Sequence, residues 1–210
     1  RGVFFPQFHG REHLNVGLFM QALQAGDPVA RFALDQQMPG CIPRGPVRGS
    51  NKYVETTRFF SPETKAQVLE SQLEGLAMFE AQFGFRSRTL IPTNYVWSSD
   101  FDIPVAEHGV EAFQGARVMK EQGTDGTSQP VKRRLGERNA SGQTYLVRNA
   151  TFEPSQTTAS PQEDTERCLQ EIGAAFRMGK PAIISSHRIN FCGFIDESNR
   201  DRNLRALSTL

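Results

Sequence analysis

Apolar residues recur along this chain with two periods, one close to that of a strand and one close to that of a helix. Residues 2–8 (GVFFPQF) are a short apolar, aromatic run broken by Pro6 and followed by His9 and Gly10, which predicts a buried strand. Leu14, Leu18, Phe19 or Met20, and Leu23 then fall at helical spacing across residues 11–25, and Gly26 ends the period. A second helix is predicted over residues 28–38. The Gly- and Pro-rich stretch 39–51 reads as loop.

The clearest helix signal follows at Ser61-Pro62, an N-cap with proline at the first helical position. Val68, Leu69, Leu73, Leu76, Phe79 and Phe83 mark one apolar face, and Gly84 closes it. Residues 88–92 predict a short buried strand, 102–108 a helix ended by Gly109, and 111–118 the next strand. Residues 120–143 are polar and without period, which predicts a long surface insertion. A strand over 144–149, an amphipathic helix over 161–179 with Cys168, Leu169, Ile172, Ala175 and Phe176 inward, a buried strand over 181–185 and a helix over 199–210 complete the series. Strands that alternate with helices indicate a parallel α/β architecture, read here as a single domain over residues 1–210.

Composition narrows the function classes. The chain of 210 residues carries 24 Lys+Arg against 23 Asp+Glu, a net charge of +1, so the basic balance of a nucleic-acid binder is missing. No run approaches the ~20 apolar residues of a membrane span, and 16 Phe argue against disorder. Cys41, Cys168 and Cys192 are odd in number and far apart, with no C-x-x-C pair, so reduced thiols are expected rather than a cysteine metal site. The chain begins at Arg1 rather than at a methionine, which suggests a partial product and leaves signal peptide and compartment open.

Three places can carry chemistry, each just past a predicted strand, where sites form in parallel α/β folds. His9 and His13 lie four apart, so on a helical turn both imidazoles would share one face and hold one divalent metal. His187 follows the strand 181–185 and is placed for acid–base work, with Arg188 and Asn190 beside it to bind sugar hydroxyls or carboxylates. Asn94, Tyr95 and Trp97 form an aromatic loop able to stack on sugar rings and steady an oxyanion. Capping roles are read for His108, Asp100 and Asp102, and a helix-start charge network for Asp201 with Arg200 and Arg202.

Taken together, His-x-x-x-His, Pro-x-Asn-Tyr-x-Trp and Ser-Ser-His-Arg in that order resemble the polysaccharide deacetylase family. The segments PQFHGREHLNV and KPAIISSHRINFCGFIDESNRDRN resemble a poorly characterised bacterial branch of it. The resemblance implies a distorted (β/α) barrel of seven strands, here lacking its N-terminal strand or strands, and removal of acetyl groups from an acetylated oligo- or polysaccharide. It implies His9 and His13 as ligands of a divalent metal, zinc by preference, and His187 as general acid. It makes the loop of Pro92 to Tyr95 the wall of the groove, with Asn94 departing from the family pattern.

The same resemblance expects an Asp-Asp pair on the first strand, one residue a ligand and the other the base. None of residues 1–8 is acidic, so the third ligand is expected upstream of Arg1, and residues 1–210 alone are expected to be inactive. Two alternatives start from the same residues. His9-x-x-Glu12-His13 also fits the inverted zinc-protease motif, with Glu12 as base and Glu70, Glu74 or Glu80 as a further ligand. A non-catalytic carbohydrate-binding barrel would keep the groove without the acid–base pair.

Overall fold

The computed structural model describes residues 5–38 and 52–210. The chain is mixed α/β and divides into two compact units, Arg1–Tyr145 and Leu146–Leu210. Its strands form three small sheets, and no closed barrel is seen among the described residues. The loop reading for 39–51 and the thiol of Cys41 fall outside those residues.

In the first unit the hydrophobic pattern becomes four helices and two sheets. α1 (Val16–Gln24) starts later than its period suggests, because the Asn15 side chain caps it by accepting from the Leu18 N–H. α2 (Pro28–Asp35) is capped by Asp27 with proline at its start. α3 (Pro62–Phe83) has the expected Ser61 cap and ends at Gly84, whose φ of 75° is the left-handed closing turn. Its buried face is Gln72, Gly75, Leu76 and Phe79, whereas Phe83 stays exposed.

β1 (Thr89–Leu90) pairs in parallel with β3 (Ala112–Gly115), and a single parallel bridge joins Phe8 to Leu90. The expected strand over 2–8 is therefore only this bridge within the described residues. β6 (Thr144–Val147), the third strand of this sheet, spans the division between the units. β2 (Val96–Trp97) pairs in parallel with β4 (Val118–Gln122), which is antiparallel to β5 (Ser128–Lys132). The surface insertion expected over 120–143 is thus in good part a hairpin. Its strands are hidden in the sequence because most of their residues are polar, so the apolar alternation that marks a half-buried strand is absent. α4 (Asp102–Glu107) closes on Gly109 at φ 98°.

Aromatic contacts tie this unit together. Trp97 packs edge-on to Phe101 at 5.5 Å and tilts over Phe113 at 5.1 Å, and Phe113 stacks on Tyr145 at 5.9 Å. Burial pushes the Tyr145 hydroxyl up to about 12, against the opposing field of Arg133. A raised phenol contributes stability that is whole below pH 10 and is lost as pH climbs toward 12. Tyr145→Phe is therefore expected to flatten the alkaline limb of a stability-against-pH curve followed by urea unfolding. An unchanged limb would refute this assignment.

The second unit is built on β7 (Ala150–Thr151) and β8 (Ile184–Ser185), which are parallel, with α5 (Pro161–Arg177) and α6 (Glu197–Leu207). Its core is Ala150, Phe152, Cys168 and Ala206, with Ile172, Phe191 and Leu210 packed against it. Burial raises the pKa of the Cys168 thiol, and Cys192 is an exposed free thiol. Two expectations for this unit need correction. Leu169 and Phe176 are exposed rather than inward, and Ile184 is exposed because the two-stranded sheet is too narrow to cover it. Among the described residues no helix is long and apolar enough to cross a membrane.

Candidate active site

The candidate histidines fall into two constellations, one within each unit. In the first unit, His9 leaves the sheet directly after the Phe8 bridge, and residues 91–95 leave it after β1. Because these strands run parallel, both segments lie at one carboxyl edge. His9 Nδ1–H donates to the Ile91 carbonyl at 2.8 Å, a bond that fixes the ring and assigns its lone pair to Nε2. The His9 and His13 rings meet at 5.2 Å in a T-shaped arrangement.

The two histidines come together without the expected helical turn. Gly10 takes φ 95° and reverses the chain, and the helix begins only at Val16. Close packing by α3 supports this reversal. A Cβ on Gly75 would lie 2.8 Å from Arg11 Cβ and 2.9 Å from Phe8 Cζ, so only glycine lets the helix approach so closely. The inverted zinc-protease motif requires residues 9–13 inside a helix, which this geometry denies. Glu12, its would-be base, instead accepts from Arg11 Nε at 2.6 Å and from the Ser71 hydroxyl at 3.1 Å.

His9 and His13 are neighbours at this edge, and metal binding by them belongs to the proposal below. No cluster of three or more His, Cys, Asp or Glu able to hold an ion exists among the described residues.

The 91–97 loop departs from its expected role. Asn94 and Tyr95 both take positive φ, 50° and 58°, a strained pair for non-glycine residues. The buried Thr93 anchors them: its hydroxyl accepts the Thr56 N–H at 3.0 Å and lies 2.8 Å from the Thr56 hydroxyl. Asn94 is exposed and Tyr95 half-buried, so both remain at the edge. Trp97 does not. It is 2% exposed, and its Nε1–H donates at 2.8 Å to Asp102, so its faces belong to the core and not to a sugar. Asp102 is correspondingly no exposed helix cap. Its carboxyl is buried and its pKa raised by that burial, while the Trp97 and Asn139 side chains hold it by hydrogen bonds.

In the second unit, His187 follows β8 as expected and is exposed. Its Nδ1–H donates at 2.5 Å to Glu153, which leaves the sheet just after the parallel strand β7. Glu153 is almost fully buried and held from several sides. Its second oxygen accepts from the Asn190 amide at 2.8 Å, the Gln156 amide at 2.8 Å and the His187 backbone N–H at 3.2 Å. With Nδ1 committed to a carboxylate, Nε2 is the atom presented outward.

Asn190, expected at a sugar, is wholly buried and belongs to this framework. Besides holding Glu153, it accepts the Ser155 N–H at 3.0 Å through its side chain, and its backbone carbonyl accepts from Asn203. Arg188 is exposed next to His187 and forms no ion pair with a described residue. Asp201 pairs with Arg200, as the helix-start network expected, and Asp196 caps α6.

Two acidic residues were missed. Glu153 sits in Phe152-Glu153-Pro154, two residues past a strand end, the same position relative to β7 that His187 has relative to β8. Glu55 is buried with Arg58 and Lys120 as charged partners, and as a compensated buried pair its burial explains its position without chemistry. No protein-family model, curated protein or solved structure matches this chain.

Proposed function

We propose that the protein is a metal-dependent hydrolase that removes acetyl groups from an acetylated sugar or polysaccharide, with His187 as general acid. The distorted (β/α) barrel implied by its resemblance to polysaccharide deacetylases is part of the same proposal. The observation that carries it is the buried Glu153 carboxylate bonded to His187 Nδ1 beyond two parallel strands. A carboxylate in that place fixes the imidazole tautomer and stabilises the imidazolium, which suits Nε2 to hold and release a proton.

Hydrolysis adds water oxygen to the acetyl carbon, breaks the bond to the sugar nitrogen or oxygen, and needs a proton on that departing atom. His187 Nε2–H supplies it. His9 and His13 would hold a zinc ion, which when bound polarises the acetyl carbonyl and acidifies water. On this reading the third ligand, an Asp, and the base come from upstream of Arg1. Asn94 and Tyr95 line the approach to the histidine pair, and Arg188 binds substrate beside His187.

The test compares zinc-loaded protein from the full reading frame with residues 1–210 alone, on N-acetylated chitooligosaccharide and on O-acetylated xylan. Acetate release by the first and none by the second is the expected result. Release by residues 1–210 alone would refute the upstream ligand. Failure of the full protein on both substrates, with oligosaccharide binding unchanged by His9→Ala, would replace the hydrolase with a binding module.

A further inference from the structure

The hairpin β4–β5 gathers an unusual charge. Arg117, Lys132, Arg133, Arg134 and Glu137 line one cavity of about 560 Å³. The hairpin register places them together: Val118 pairs with Lys132, and the Arg133 N–H donates to the Arg117 carbonyl at 2.9 Å. Four cations thus face one anion, in a chain whose net charge is only +1.

Among the described residues, carboxylates pair with only one of the four cations, Arg133. The side chains of Arg117, Lys132 and Arg134 form no ion pair with any described residue. Arg133 has only long contacts, 3.5 Å to Glu137 and 3.7 Å to Glu121, and its Nε is buried without a hydrogen-bond partner. Its guanidinium is nonetheless held in place, 4.4 Å above the Tyr145 ring. A guanidinium fixed on an aromatic ring, beside three cations that form no ion pair among the described residues, suits an anionic ligand such as a carboxylate. The volume suits about one or two sugar residues.

Its place in the fold ties the cavity to the histidine pair. β3 ends at Gly115, beside the end of its parallel neighbour β1, and Arg117 follows two residues later. The cations therefore begin at the sheet edge from which His9 and the 91–95 loop depart.

We propose that this cavity binds a carboxylate-bearing sugar, so that the glycan acted on is acidic, of the uronate type. The sugar rests on the function proposed above, whereas the anion rests on the cavity alone.

The experiment titrates tetragalacturonate into the full protein by calorimetry, at low and at physiological salt, with neutral chitotetraose as comparator. The exposed pair is removed in Lys132→Gln/Arg134→Gln, which leaves the Arg133–Tyr145 stack intact. Tetragalacturonate is expected to bind, and to weaken about tenfold or more in the variant and at the higher salt. Chitotetraose binding is expected to be unchanged. No binding of tetragalacturonate at low salt, or equal binding by the variant, overturns the proposal. Tighter binding of a short single-stranded oligonucleotide, lost in the same variant, overturns it in favour of nucleic acid. None of these readouts uses acetate release, so a failed hydrolase assay with intact tetragalacturonate binding removes the enzyme and keeps the anion site.

Discussion

Glu153→Gln is expected to lower the rate of acetate release by about 10²–10⁴-fold while leaving KM within a few-fold of its starting value. Glutamine keeps the shape of the side chain and loses its chemistry. The two carboxylate oxygens together accept from His187 Nδ1–H, the His187 backbone N–H, Asn190 and Gln156. An amide offers one acceptor and one donor group. If its NH₂ points at His187, Nδ1 must accept, the proton moves to Nε2 for good, and the imidazolium loses its counter-charge. If it points the other way, it meets three donors instead, and the buried side chain is left in conflict.

His187→Ala removes the acid itself and is expected to match the loss within about tenfold, because the two residues act as a unit. Three measurements separate this from a merely structural effect: the kcat-against-KM split, the pH profile, and the nitrogen shifts of the imidazole. A Glu153→Gln protein that folds, shows an unchanged tautomer and retains its rate within threefold would dismiss the dyad.

How much of this was legible beforehand depended on what each residue packs against. Helix starts read well where a serine followed by proline marks the first turn, as at Ser61 and Ser160, because that chemistry is local; the Asn15 cap of α1 has no proline after it and is not marked in this way. The His9 and His13 rings do meet, but a glycine reversal and not the expected helical turn brings them together. Spacing alone does not distinguish these two routes. Glu153 was overlooked because its partner lies 34 residues away, and only the parallel pairing of β7 with β8 brings the two strand ends side by side. The β4–β5 hairpin reads as loop because its largely polar residues carry no apolar alternation, whichever way they face. Asn190 shows the reverse error: a polar residue near a strand end was read as substrate-facing, and burial made it part of the scaffold.

Trp97 is the sharpest of these misreadings, and replacing it carries the largest expected effect on stability. Trp97→Ala is expected to cost about 3–5 kcal/mol in urea unfolding, as for any large aromatic removed from a packed core. It would also leave Phe101 and Phe113 facing a void. Trp97→Phe retains much of that packing and isolates the polar part. It removes the N–H that reaches Asp102, so a buried carboxylate loses one of its two side-chain donors, at about 1–3 kcal/mol. The sign of the pH dependence follows from that carboxylate. Burial already raises its pKa in the folded protein, and losing a donor to its charged form raises it further. A raised carboxyl costs stability at neutral pH, and the cost disappears once the pH falls below the unfolded value and the group is protonated in both states. The gap between Trp97→Phe and the parent is therefore expected to be widest near neutrality and to close as acid is added. As the only tryptophan in the chain, the indole also reports directly. Its emission should be blue-shifted, resistant to acrylamide, and unmoved by saturating oligosaccharide. Emission that shifts when sugar is added would return Trp97 to the groove and undo its assignment to the core.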